Sequence, residues 1–337
     1  MLQLKNNTPF GSNLTLLYDK NGVDTLYVMV SATFNVSRKW TLADEQIPPH
    51  ESDEYWTDDP ETSSIKYASE YHIGKQATDI VMLGHARAPE GKKVLQQDVS
   101  LSVGQLSKTV RVFGDRCWQD GQISRPEWFE AMPLVYEKAF GGIHRQDGDI
   151  ISAEYRNLVG CGYLGKQKAS VLDGQLLPNL EDPRNLLTKA GDIVPPAGFG
   201  FISPGWQPRV NYAGTYDDEW KSRRAPFLPE DFDPHYLSMA HPDLIYPGYI
   251  AGGEPVVISG VHPLGKLQFT IPVIGLNGKV NMNNNSRALS FNMETVVIEP
   301  DDMKLTLNWR AALTCDKDIL KIKEVTIGLA QPKRQAA

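Results

Sequence analysis

Few residues in this chain stand at spacings that chemistry uses. Ser63 and Lys66 form a Ser-x-x-Lys spacing, in which a lysine would activate a serine, yet the companion motifs of serine acylases are missing. The match is read as chance. Two carboxylate pairs, Asp217 with Glu219 and Asp231 with Asp233, are the residues a sugar hydrolase would use as proton donor and as base or nucleophile. The acidic runs Asp58-Asp59 with Glu61 and Asp217-Asp218-Glu219 lack the ligand spacing of a calcium loop, and read as solvated turns. Seven histidines are scattered without metal-ligand spacing; His235 and His241 share a Pro-flanked loop that neither helix nor strand periodicity would align. The three cysteines, Cys117, Cys161 and Cys315, form no Cys-x-x-Cys pair. Gly275 to Lys279 resembles part of a phosphate loop, but it is too short and lies between strands. Asn277-Gly278 within it reads as a hairpin turn. The expectation is a chain with no catalytic residue, no metal ligand and no cofactor.

The elements that must carry these residues read mostly as β. Leu14–Tyr18 and Leu26–Val36 alternate apolar with small or polar residues around an Asn21-Gly22 turn, and predict an opening hairpin. Ile65–Ile73, Ile80–Ala88, Val94–Val103 and Leu106–Phe113 continue the pattern, followed after Glu254 by strands at 256–259, 265–272, 274–281, 290–299, 304–313 and 322–329. Between them the middle is rich in Gly and Pro but dense in aromatic rings, which predicts long ordered loops pinned by buried rings rather than disorder. A short helix is expected at Glu219–Arg224 or Glu230–Ser238, and Pro332–Ala337 is expected to fray. The predicted fold is mainly β, a β-sandwich or two packed antiparallel β subdomains. It spans residues 8–330 as one domain, with an N-terminal β part (8–140), a loop-rich middle (141–254) and a C-terminal β part (255–330).

The most informative segment is Val110 to Gly142, VRVFGDRCWQDGQISRPEWFEAMPLVYEKAFGG. A strand ends in Gly114-Asp115-Arg116-x-Trp118, turns, and reopens as Phe129-x-x-Met132-Pro133-Leu134-x-Tyr136-Glu137-x-Ala139-Phe140-Gly141-Gly142. Its Gly, Pro, Trp and Arg residues specify conformation, with Trp118, Trp128, Tyr136 and Phe140 as ring anchors and Arg116 placed to satisfy carbonyls or pair with Glu137. This segment resembles the signature of the bacterial family called domain of unknown function 2169. The resemblance continues in order through Ser31-Ala32-Thr33-Phe34, Asp79-Ile80-Val81, Leu177-Pro178-Asn179-Leu180-Glu181, Pro196-Ala197-Gly198-Phe199-Gly200, Gly214-Thr215-Tyr216-Asp217 and Trp309-Arg310. The chain departs from the pattern at Tyr155–Gly162, where a proline is gone, and at His241, which splits an Ala-Pro pair.

The resemblance implies an adaptor, or chaperone, that loads toxic effectors onto the spike of the type VI secretion machine. Its implied partners are the effector, through an N-terminal region, and a spike tip formed by a valine-glycine-repeat protein with its PAAR-repeat cap. Trp206, Arg209, Trp220 and Tyr249, in the irregular middle, are the expected partner contacts. Bulk properties agree with a globular protein: 337 residues, 41% hydrophobic and 22% charged, with a net charge of −7 that does not favour a phosphate-backbone partner. Met1–Asn7 lacks a secretory pattern, and no apolar run approaches a membrane helix in length, so the expected location is the bacterial cytoplasm. Two other readings stand beside the adaptor: a carbohydrate-active or hydrolytic β-sandwich enzyme built on the carboxylate pairs, and a structural component of the secreted particle.

Overall fold

In a computed structural model, residues 2–37, 40–165, 172–283 and 285–330 are described; the tail expected to fray lies outside them. The longest strand, Asp24–Asn35, explains the architecture. Its ten inner residues are all buried because both faces of the strand are covered, which corrects the alternation expected over Leu26–Val36 to a nearly continuous buried run. Each fully buried Val, Leu or Met here contributes about 1.5–3 kcal/mol of transfer free energy. The strand is therefore central. It pairs on one side with Gly11–Tyr18 and on the other with Lys304–Thr314, which leads on to Asn292–Glu299 and a parallel edge strand, Asp79–Met82. The polar residues this strand buries are matched across the sheet, as in the Thr33–Thr306 hydroxyl pair at 3.1 Å.

Two further sheets complete the framework. One runs in the order Leu180–Glu181, Leu106–Phe113, Gln96–Val103, Pro255–Ser259, Leu267–Thr270. The other runs Gln3–Asn6, Ile322–Leu329, Leu276–Met282, Ser286–Leu289, with its first pair parallel. Residues from before 140 and after 255 thus share every main sheet, and one apolar cluster joins all three. The fold is mainly β, as predicted, with no closed barrel among the described residues.

The loop-rich middle is ordered by buried rings, among them Phe199, Phe201, Trp206 and Phe232. Among the described residues its helical content is one short α-helix, Asp218–Arg223, at the first of the expected places, and single turns such as Pro234–Leu237 at the second. At the opening hairpin, Gly22 adopts φ +81° and its N–H closes the turn onto the Asp19 carbonyl at 2.9 Å, as Asn-Gly predicts. Asn277-Gly278 is a correction: it lies inside a strand, with Gly278 opposite Ile327 and Leu289. The glycine is required there by packing, since a Cβ would come within 2.9 Å of the Phe291 ring. The strand expected at Ile65–Ile73 ends at Tyr67, because the following residues turn inward to a buried polar network.

Candidate partner-docking surface

The signature segment builds the interior from which surface loops are hung. Gly114 lies so close to the Glu127 carbonyl that a Cβ would sit 1.8 Å from its oxygen, so only glycine fits. Arg116 is buried with its guanidinium 3.7 Å from the centre of the Phe113 ring, and donates to the Pro178 carbonyl (2.6 Å) and to Glu181. Glu181, not Glu137, is thus its partner, and its other oxygen accepts the Leu187 N–H at 2.7 Å. Glu137 instead accepts from the Ser64 N–H and hydroxyl, both 2.7 Å, while Ser63, the serine of the Ser-x-x-Lys spacing, accepts the Thr57 N–H at 3.0 Å and so has a structural role. Asp115 accepts from the Asn179 amide at 2.9 Å.

Trp118 and Phe140 fill a second, small core with Leu164, Leu172, Leu177, Leu187 and Val194. Phe129, Met132, Tyr136 and Ala139 face the main core, with Tyr136 edge-on to Trp206 at 5.6 Å. Pro133 closes a short pairing with His85, while Gly141 and Gly142 pass against the backbone of Asn157 and Gly160, where a Cβ would meet carbonyl oxygens at 2.1 and 2.9 Å. Trp128 departs from the expected anchoring role: it is 59% exposed.

The four expected partner contacts separate. Trp206 is buried at 4% exposure in the main core, and Arg209 is buried too, donating to the Ile202 and Tyr236 carbonyls. Neither can touch a partner without opening the loop, and the expectation is corrected for both. Tyr249 is partly exposed, but its hydroxyl is committed to the Lys75 carbonyl. Trp220 remains at the surface, half-buried, on the helix Asp218–Arg223.

Around Trp220 the chain is shaped into a cleft of about 330 Å³, bordered by Glu219, Arg223, Arg224, Glu230 and Asp231. Asp217 caps the helix by accepting the Trp220 N–H at 2.8 Å, and the Trp220 indole N–H bonds to the Phe227 carbonyl at 2.9 Å. Tyr216, exposed, stands edge-on to Trp220 at 4.6 Å. Phe227 in turn meets Tyr18 at 4.9 Å, and Arg224 donates to the Lys20 carbonyl at 2.8 Å, which fastens the cleft to the tip of the opening hairpin. The hairpin's outer strand, Gly11–Tyr18, is the edge of the largest sheet and shows Leu16 (43% exposed) and Tyr18 (48%) to solvent. An edge strand carries unpaired backbone donors and acceptors, which an extended segment can match.

The carboxylates of this region shape loops. Asp231 accepts the Thr215 N–H (2.9 Å) and hydroxyl (2.7 Å), and Asp233 accepts the His235 N–H at 2.9 Å. Backbone N–H bonds to the ionised form hold both below the ordinary carboxylate range. A glycosidase acid needs the opposite shift, so these groups are ill suited to protonating a leaving group.

A buried ionic network that no motif spacing marks joins strands of the largest sheet to the segment 70–75. Lys75 pairs with Asp79 at 2.7 Å, and Arg310 with Glu294 at 2.7 Å and Glu70 at 3.4 Å, all buried. Burial raises the Glu70 carboxyl, but the His72 hydrogen bond and the charges of Lys75 and Arg310 outweigh it and hold the group far below its ordinary value. Burial, then the Arg310 charge, lowers His72 to about 3, and its Nδ1 accepts the Gly74 N–H at 3.1 Å, as a neutral ring does. Burial raises Glu294. Ligand atoms of Glu70, His72 and Glu294 lie within 4.8 Å of one another, close enough for a metal ion. The Arg310 guanidinium already bonds to the Glu294 and Glu70 carboxylates, lies against the His72 ring and supplies the positive charge, so the trio fits a guanidinium better than a metal. Polar residues at 294 and 310, inside apolar strands, were the available signal.

The arrangement is that of a mainly β scaffold with shaped, ring-bearing surface loops. The chain belongs to the family described as "Uncharacterized protein conserved in bacteria (DUF2169)", whose model matches residues 21–310. No curated protein and no solved structure matches it. Among the described residues, no helix is long and apolar enough to cross a membrane.

Proposed function

We propose that the protein is a non-enzymatic bacterial adaptor that binds a type VI secretion effector in the cytoplasm and helps load it onto the spike tip. The binding part of this reading rests on one observation: a pre-shaped aromatic cleft around Trp220, continuous with an open strand edge bearing Leu16 and Tyr18. An extended effector segment would pair with the edge strand and set an apolar side chain against Tyr18 and Trp220, while Arg223 and Glu230 meet its polar groups. The cleft is held by bonds to fixed backbone, so little ordering entropy remains to oppose binding. The assignment to the type VI machine comes from the resemblance carried by the signature segment. Committed, acid-shifted carboxylates weigh against the hydrolase reading.

Co-expression of the tagged full chain with its effector tests this. The wild type is expected to raise the effector's soluble level and co-purify with it, and Tyr18→Ala with Trp220→Ala to lose the complex while keeping the fold. Equal capture by the double variant would overturn the placement of the site. Failure of the wild type to capture any type VI effector would overturn the function.

A further inference from the structure

The signature segment presents one ring that its own core does not use. Trp128 is 59% exposed, although its neighbour Phe129 is buried and the backbone on both sides is fixed. The Glu127 N–H bonds to the Asp115 carbonyl (3.0 Å), Phe129 exchanges two backbone bonds with Val94 (2.9 and 3.0 Å), and the Glu130 carbonyl accepts the Ala88 N–H (2.8 Å). The ring is therefore displayed on a rigid mount. It borders a shallow depression of about 400 Å³ whose charged rim is Asp115, Glu127 and Glu130 against the single ammonium of Lys93. The Glu127 and Glu130 carboxylates have no hydrogen-bond or ion-pair partner among the described residues, and the Asp115 carboxylate, bonded to the Asn179 amide at 2.9 Å, is only loosely ion-paired, 3.9 Å from Lys138.

An exposed indole beside the two unpaired carboxylates of Glu127 and Glu130 is complementary to a cation with a flat or apolar body. The ring face attracts the charge, the stem packs on the ring, and the carboxylates bond to the donors. Arginine meets all three requirements, and lysine meets them less well because it lacks the planar fork. We infer that the Trp128 depression is a docking site for an arginine-bearing segment of a partner protein. It lies in a different part of the chain from the Trp220 cleft and does not depend on the secretion reading.

The test uses the full chain labelled with fluorotryptophan and titrated with a blocked peptide alternating arginine and serine, followed by fluorine NMR. The chain has seven tryptophans, and the Trp128 signal is assigned by its loss in Trp128→Phe. The expected result is a shift of the Trp128 signal on titration, with affinity about fivefold weaker in Trp128→Ala, a change that leaves net charge untouched. Glu127→Gln with Glu130→Gln should weaken binding too and flatten its salt dependence. Since the acidic chain attracts any cationic peptide, the informative comparison is between wild type and Trp128→Ala at equal charge. Equal affinity of those two, an unmoved Trp128 signal, or equal binding of a peptide with leucine or glutamate in place of arginine would overturn the inference.

Discussion

Two tryptophans ten positions apart in one segment provide the sharpest test of how the signature works. Trp118 is 2% exposed and sits in a small core with six other buried apolar residues, whereas Trp128 projects into solvent. Replacing Trp118 by alanine removes the largest member of that cluster and leaves a void that its few neighbours can only partly close. The expected cost is about 3–5 kcal/mol. No hydrogen bond is forfeited, because the Trp118 indole N–H has no partner among the described residues. The same change at Trp128 should stay within about 0.5 kcal/mol of wild type. Heating is a blunt readout for a chain of this length, where 1 kcal/mol moves the midpoint by about 2 °C or less. Urea unfolding of both variants beside wild type, monitored by circular dichroism, is the better assay. A Trp118→Ala loss under about 1 kcal/mol, or a Trp128→Ala loss of comparable size, would refute the division between anchor and displayed ring.

Other consequences follow from the polar groups. His72 is held neutral in the fold with its proton affinity reduced to about 3, so on acidification the unfolded chain takes up a proton that the folded chain refuses. Stability is then fully present above about pH 6.5 and falls toward pH 3 at about 1.4 kcal/mol per pH unit. Glu70, also depressed, adds to the loss below its unfolded value near pH 4.5, while Glu294, raised by burial, opposes it. Urea midpoints should therefore drop between pH 6.5 and 4.5 in the wild type and fall less steeply in a folded His72→Gln variant, where the remaining slope comes from His241, held to about 4 by burial and the Lys108 charge; equal slopes would refute the assignment. Asp217→Asn with Asp231→Asn keeps side-chain acceptors for the Trp220 and Thr215 N–H groups, so stability should change by about 1 kcal/mol or less and effector delivery should persist. Loss of delivery with stability and effector binding intact would revive an enzymatic role. Trp220→Ala alone should weaken effector capture without lowering the urea midpoint by more than about 1 kcal/mol, since the ring is only half-buried; a folding defect without a binding defect would make it another anchor.

The sequence made the β character legible because strand alternation and turn residues are local signals. Leu106–Phe113 and Asp24–Asn35 could be placed from their own residues, and so could the Asn21-Gly22 turn. Asn277-Gly278 misled because the dipeptide is equally at home where a neighbouring ring needs space, and the ring, Phe291, lies across the sheet pair. The roles of Trp118, Trp128 and Trp206 could not be separated by composition: burial is set by which backbone bonds pin the neighbouring residues, and those partners are distant in sequence. Arg310 and Glu70, bonded in the interior, are 240 positions apart. No spacing rule reaches that far.

The central claim is that this chain carries an effector to the type VI spike, and it is tested most directly by export from a strain lacking the gene. The account predicts that the cognate effector disappears from the medium, that other effectors and the spike continue to be secreted, and that the wild-type gene restores export while Tyr18→Ala with Trp220→Ala does not. Unchanged export and unchanged effector stability in the deletion strain would contradict it.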